Sequence, residues 1–376
     1  MAKKFLKSGL LTLIAFIMLF SFPISASDAY DTAVPCYSGA VGLRFYSAGG
    51  TQYGNIPTAN LKNTKVYVGG MPFGVKFLTA GVIVAGTFDV KTANGTKNPA
   101  ADAGLAQNDV ILEVSGVKVT DAAMLSEFFE KSGGAPIKVV YKRNGKQSEC
   151  SLTAVKCSED GKYKSGIYAR DSGAGIGTVT YIMPQTLEFG GLGHGICDGE
   201  SGKLIPMQRG SVVDVTISGV VKGLVGDPGE VRGYFSSGKT GTLLRNTECG
   251  VFGAFAKLPE SAGTLMSVAT RDELKAGEAY ILSTLDGTTP QKYRVEISDI
   301  KLSATGNKCF TVKVTDPALI EKSGGIVQGM SGSPIIQNGK LVGAVTHVLI
   351  NDPSTGYGIF IENMLSAAQM QMAKAS

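Results

Sequence analysis

The sequence predicts a mainly β protein, with a small glycine-bounded β module near the N-terminus followed by a longer domain of two packed β-barrels. Three observations carry that expectation. Glycine is abundant, 50 of 376 residues, and it punctuates short apolar runs, the pattern of many strands joined by turns. Within those runs apolar positions alternate: Tyr293, Val295 and Ile297 with Arg294, Glu296 and Ser298, and Phe310, Val312 and Val314 with Thr311 and Lys313. A period of two puts one face of each strand in a core and the other in water. Asn144-Gly145 and Asn338-Gly339 each separate two such runs, and Asn-Gly is the strongest short-range hairpin signal because both residues accept positive φ. With 43% hydrophobic residues the chain can fill more than one core, and its length suits two or three domains.

The chain opens on a targeting pattern. Lys3, Lys4 and Lys7 precede a nearly unbroken apolar run from Leu10 to Phe22, and Ser25-Ala26-Ser27 supplies small residues suited to signal-peptidase cleavage. The run is shorter than the roughly 20 residues of a membrane span. Residues 1–27 therefore read as a signal peptide first and a retained anchor second, and either way the body is exported. Formal charge is +5, and without those three lysines it is +2. No basic cluster is interleaved with aromatics, so nucleic-acid binding is not supported. Six scattered cysteines (36, 150, 157, 197, 249 and 309) are too sparse for a disulfide scaffold, although export permits pairing. Two histidines and no Cys-x-x-Cys argue against a zinc site, and no cofactor is expected.

Residues 28–64 show no sustained period and read as an N-terminal extension with one strand at 40–46, the kind of exposed sequence where proteolytic nicking concentrates. The pattern sharpens over 65–155. Gly69-Gly70-Met71-Pro72-Phe73-Gly74-Val75-Lys76-Phe77 is a glycine-bounded loop running into a strand, and residues 81–85 form another. Next come Asn98-Pro99-Ala100-Ala101-Asp102-Ala103-Gly104-Leu105, Asp109-Val110-Ile111-Leu112 and a Gly116 turn. Thr120 or Asp121 caps a helix to Lys131 with Leu125, Phe128 and Phe129 on its apolar face. Strands at 137–143 and 149–155 close the unit. This module resembles a PDZ domain of the bacterial protease type. The resemblance implies that backbone amides near Phe73, Gly74 and Val75 capture a C-terminal carboxylate and that the peptide adds as a strand there. The ligand would be a C-terminal peptide, from a partner or from this chain itself.

Residues 156–175 read as a linker, polar at first and then glycine-rich. Strands resume over 176–366, expected at 178–183, 212–218, 241–244, 279–283, 293–300 and 310–316, with a last strand near 356–361 and a helix running into the 367–376 tail. Gly329-Met330-Ser331-Gly332-Ser333-Pro334 stands before the hairpin at Asn338-Gly339. A serine between glycines in a tight loop exposes its hydroxyl, and the loop's amides, Gly329 and Ser331, can converge as an oxyanion hole. The plain alternative is a Gly/Ser-rich turn. The pattern resembles the nucleophile loop of chymotrypsin-like serine proteases, Gly-Asp-Ser-Gly-Gly-Pro, with Met330 in place of Asp and Ser333 in place of the second Gly. The missing Asp removes the usual partner for a newly cut N-terminal ammonium. His194, in Gly193-His194-Gly195, sits on a bend and is the candidate base, its alternative being a turn histidine. His347 lies in an apolar strand and reads as structural. Cys197 is a weaker nucleophile candidate than Ser331. An acyl-transfer triad also needs a carboxylate to orient the imidazole. Asp198, Asp214, Asp227, Asp272, Asp286, Asp299 and Asp316 lie between the two. Asp316, at a strand end before Pro317, is favoured although it stands only 15 residues before Ser331, and Asp299 comes next.

Together these features resemble the SpoIVB peptidase family of endospore-forming bacteria, over nearly all of residues 65–365. The domain order is part of the likeness, since the PDZ domain follows the protease in HtrA-type enzymes. The resemblance implies a PDZ domain followed by a chymotrypsin-like double β-barrel and catalysis by Ser331, His194 and Asp316. It also implies self-cleavage near the N-terminus and secretion into the forespore intermembrane space, with or without a tether to the inner forespore membrane. Its substrate would be a SpoIVFA-like membrane regulator whose cleavage triggers pro-sigma-K processing. The rival expectations are a non-catalytic PDZ adaptor on a protease scaffold and a general envelope quality-control protease.

Overall fold

The structure is a computed structural model that describes residues 63–197, 202 and 204–369. The predicted export signal, the strand expected at 40–46 and Asp198 lie outside the described residues. Among those residues no helix is long and apolar enough to cross a membrane.

A short strand at Lys65–Val68 leads into β1 (Pro72–Thr87), a 16-residue strand. A small module follows: β2 (Val110–Val114), α1 (Ala122–Lys131), β3 (Pro136–Arg143) and β4 (Lys146–Thr153). Then come β5 (Ile167–Ile182), β6 (Glu188–Gly191), β7 (Met207–Val221), β8 (Glu230–Thr247) and β9 (Gly250–Phe255). The last third holds β10 (Gly277–Ser283), β11 (Gln291–Ser298), β12 (Phe310–Val314), α2 (Pro317–Ser323), β13 (Pro334–Gln337), β14 (Lys340–Leu349), β15 (Asp352–Phe360) and α3 (Ile361–Gln369).

Two barrels result. β10, β11, β12, β15, β14 and β13 close on themselves around Ile281, Val295, Ile297, Phe310, Val312 and Ile335. β1, β5, β6, β9, β8 and β7 also pair in a ring, each antiparallel to the next. Phe73, Val75, Val179, Phe189, Val212 and Val251 fill that ring. Burying each such side chain is worth about 1.5–3 kcal/mol before conformational entropy is charged against it. Alternation is clearest in β11, whose Tyr293, Val295 and Ile297 are buried between exposed neighbours, as the sequence pattern requires. Asn144 and Asn338 both take positive φ, 51° each, followed by Gly145 and Gly339 at 83° and 74°. That is the backbone of a two-residue turn matched to strand twist.

The small module packs Val82, Ile111, Leu125, Phe129, Val139 and Leu152 into its own core. Asp121 caps α1, its side chain accepting from the Met124 amide at 2.7 Å, and Asp171 of β5 accepts from the Ala122 amide at 2.8 Å. Negative charge at a helix N-terminus meets unsatisfied amides there.

Two expectations change. The stretch 156–175 is not a bare linker, because β5 starts at Ile167 and runs unbroken into the first barrel. Ser172-Gly173-Ala174-Gly175 are poor strand formers in isolation. Pairing against β1 overrides that: a Cβ on Gly173 would lie 2.6 Å from the Phe77 ring, so this strand position needs glycine. The second change concerns Phe73, Gly74 and Val75. They pair with Gly177, Ile176 and Gly175 on one side and with Asp214, Val213 and Val212 on the other. With both edges taken, no peptide can add as a strand at these three residues. β1 serves both units. Its first half closes the first barrel, and from Val82 it pairs with β2 of the small module.

Candidate active site

Ser331 sits in the loop between α2 and β13. Gly324 ends α2 in the left-handed conformation, φ 75°, its amide donating to Ile320, which releases the chain into the loop. The loop is then wound on itself. The Met330 amide donates to Val327 and the Ser333 amide to Met330, at 3.1 and 2.9 Å. Met330 is fully buried, so the position that carries Asp in trypsin-type loops is here an apolar plug.

The loop is clamped to β5. Thr178 Oγ1 donates to the Gly329 carbonyl at 2.8 Å, Thr180 Oγ1 to the Gly332 carbonyl at 2.7 Å, and the Thr178 amide to the Ser331 carbonyl at 3.1 Å. Gly332 has φ 95°, and a Cβ there would fall 2.1 Å from the Thr178 oxygen. Glycine is therefore obligatory at 332. Among the described residues the amides of Gly329 and Ser331 have no main-chain acceptor, whereas those of Met330, Gly332 and Ser333 are all engaged.

His194 follows β6 on a bend where Leu192 and Gly193 both take positive φ. Asn246 fixes the bend from β8, accepting from the Ile196 amide and donating to its carbonyl. The Nδ1 of His194 lies 2.8 Å from the Gly195 carbonyl oxygen. A carbonyl only accepts, so Nδ1 carries the proton and Nε2 keeps its lone pair. Burial pushes the imidazole below its ordinary value, partly offset by that carbonyl.

Ser331 and His194 line one cleft of about 740 Å³, together with Val75, Phe77, Ile176, Glu248, Gln328 and His347. Ser331 Oγ donates to the Thr346 carbonyl at 2.7 Å. The next residue, His347, places its ring 4.8 Å from that of His194. Its Nδ1 is buried without a partner among the described residues. Burial, His194 and Lys308 lower its pKa to about 4, so it is neutral at physiological pH. By sequence alone His347 reads as a strand histidine; its spacing after Ser331 in a hairpin is the signal for a place in the cleft.

Asp316 stands elsewhere. It is the N-cap of α2, accepting from the Ala318 amide at 3.0 Å and the Arg294 amide at 3.1 Å, with the Arg294 guanidinium 3.8 Å away. Burial works against its ionised form, but the amides of Arg294, Ala318 and Leu319 and the Arg294 charge together hold its pKa below the ordinary value. Neither Asp316 nor Asp299 lines the cleft; its only described carboxylate is Glu248. Cys197 borders the cleft beside His194. Among the described residues no group of three or more His, Cys, Asp or Glu could hold a metal ion.

Two β-barrels sharing a cleft, with a glycine-flanked serine and histidine in it, define a chymotrypsin-like serine endopeptidase joined to a PDZ module. The PDZ-domain model matches residues 69–153. The model described as SpoIVB peptidase S55 matches residues 161–365, more than half of the chain, and the chain belongs to that family. The match to the PDZ model includes residues 72–79, which the structure places in the first barrel. Among solved structures the chain is similar to the Rv3671c protease in its inactive form, at 16% identity over 52% of this chain and 83% of that one, TM-score 0.31. The active form of Rv3671c from M. tuberculosis gives 17% identity, 53% and 74% coverage and TM-score 0.29. The PDZ domain of the SdrC-like protein Lmo2051 from Listeria monocytogenes gives 24% identity over 24% of this chain and 87% of that one, TM-score 0.20.

Proposed function

We propose that Ser331 is the nucleophile and His194 the general base of this peptidase, with the Gly195 carbonyl in the orienting position that a carboxylate holds in a triad. The observation that carries this reading is the shared cleft. It holds Ser331, His194 and the two free amides of Gly329 and Ser331, and it excludes Asp316. In the resting geometry the serine hydroxyl is turned to Thr346. Attack begins when it turns to His194 Nε2, a realignment that substrate commonly completes. Oγ then bonds the scissile carbonyl carbon while its proton passes to Nε2. The developing oxyanion accepts from the Gly329 and Ser331 amides. The tetrahedral intermediate collapses, the leaving amine takes the proton from Nε2, and water repeats the sequence on the acyl-enzyme.

In the cell the reading is an exported, self-cleaving signalling protease of sporulation. It would act in the forespore intermembrane space on a SpoIVFA-like membrane regulator, so that pro-sigma-K is processed. Family membership and the N-terminal targeting pattern support that role. Peptide cleavage by the full chain tests the chemistry. Ser331→Ala and His194→Ala should each abolish it, and the double variant should cost little more than either single one, because the two groups act as a unit. Strictly additive losses, or cleavage that survives Ser331→Ala, would refute it.

A further inference from the structure

The chain has two histidines, His194 and His347, and the fold sets one against the other. His194 stands on the bend after β6, and β14 carries His347. The bend lies directly on β14. At Gly193, φ 66°, an added Cβ would fall 2.9 Å from the Thr346 side chain and 3.3 Å from the Val345 carbonyl oxygen, so glycine is what permits this approach. The two rings lie 4.8 Å apart, inclined by 35°. Each is posed as a ligand. His194 Nδ1 donates to the Gly195 carbonyl and Nε2 keeps its lone pair. That is the arrangement of metal-bound histidines, whose second nitrogen donates to a carbonyl or carboxylate. His347 Nδ1 is buried without a partner among the described residues, and such a group calls for a water, an ion or a functional role. Two imidazoles sharing one zinc, each nitrogen about 2.0–2.1 Å from it, have ring centres about 5 Å apart, close to the separation of this pair.

We propose that His194 and His347 together bind one divalent transition-metal ion of the zinc, copper and nickel class, and that this ion reversibly holds the peptidase off. Its effect on cleavage rests on the peptidase reading of the cleft; the binding itself does not. The donors are His194 Nε2 and the unpartnered Nδ1 of His347, the latter in its Nε2–H tautomer. Imidazole suits zinc, copper and nickel, whereas magnesium and calcium prefer oxygen ligands. Burial disfavours the charged form of both rings, and neutral imidazole is the form that ligates. An ion on Nε2 takes the lone pair that must accept the Ser331 proton, so no attack can start until it leaves. Two histidines are too few for a structural zinc site, which takes four protein ligands. Glu248 and Cys197 border the same cleft, but among the described residues no three-ligand cluster forms. Water fills the remaining positions, and the ion is therefore held loosely, as an inhibitor and not as a resident cofactor.

The test uses the full chain and two readouts. Zinc binding is measured by calorimetry on Ser331→Ala, where it does not depend on activity. One ion per chain is expected, and adding His347→Gln or His194→Gln should weaken its binding about tenfold or more, the loss of one of two ligands. Cleavage of a reporter peptide is then followed with Ser331 intact, with and without zinc, each variant compared with itself so that changes in basal rate cancel. Zinc should lower kcat/KM of the wild type and a chelator should restore it. His347→Gln and His347→Phe should each need about tenfold more zinc for the same loss, Cys197→Ser should respond as wild type does, and magnesium or calcium should have no effect. Zinc binding that survives in folded His347→Gln and His347→Phe, or that is lost in Cys197→Ser, overturns the site. Binding as expected, with Ser331-dependent cleavage indifferent to zinc, overturns the inhibitory role. Binding as expected with no Ser331-dependent cleavage at all supports the metal site and overturns the peptidase reading.

Discussion

At Asp316 two roles give different outcomes for one substitution. As the cap of α2, Asp316 is replaceable by Asn, which caps helices equally well, whereas Ala should cost about 1 kcal/mol of stability. As a triad carboxylate, Asn would leave the wrong histidine tautomer and cost about 10⁴ in kcat. The geometry predicts the first: Asp316→Asn retains kcat within a few-fold, measured on any cleaved peptide. The two histidines set the acid behaviour. As the proposed base His194 must be neutral to act, and burial holds its pKa below the ordinary value, so kcat/KM should hold down to a pH below the usual histidine range and fall beneath it. An acid limb at or above 6.5 would contradict that. His347 titrates at about 4 when folded, against an ordinary value of 6.5. Between those limits the unfolded chain binds more protons than the folded one, so stability is lost as pH falls through that window. The urea midpoint should drop from pH 7 to pH 5, and His347→Phe should flatten the drop. At this scale glycine flanks made Ser331 and His194 legible in the sequence. The partner of His194 was not, because a backbone carbonyl leaves no residue signature.

At the scale of the element, the loop holding Ser331 is shaped by β5. Three hydrogen bonds from Thr178 and Thr180 fix the loop carbonyls, which turns the amides of Gly329 and Ser331 free. Gly332→Ala would drive a methyl into the Thr178 oxygen. It should destabilise the fold by about 2–4 kcal/mol and reduce activity further by spoiling the amide pair. A urea midpoint and kcat for this variant, against wild type, check both. Alternating strands such as β11 and both Asn-Gly hairpins were readable because one face is buried and the turn residues are specific. β5 was not, because Ser172-Gly173-Ala174-Gly175 carries the composition of a linker. Its strand state comes from contacts with Phe77 and β1 nearly a hundred residues earlier, which local composition does not encode.

Across the whole molecule, the PDZ module precedes most of the peptidase but is threaded into its first barrel. β1 enters and β5 leaves, and both strands are shared between the module core and the barrel. The mainly β class and the double barrel were legible from strand spacing and length. This threading was not, since ring closure is a property of long-range pairing. α1 is thereby bonded through Asp171 to β5, the strand that also clamps the Ser331 loop. The central claim is that Ser331, activated by His194 without Asp316, is the nucleophile of this cleft. The measurement that tests it most directly is the rate of covalent labelling by a fluorophosphonate of the full chain, wild type beside Ser331→Ala, His194→Ala and Asp316→Asn. Labelling is expected in wild type and Asp316→Asn at similar rates, none in Ser331→Ala and little in His194→Ala. Labelling that persists without Ser331, or that disappears in a folded Asp316→Asn variant, would contradict it.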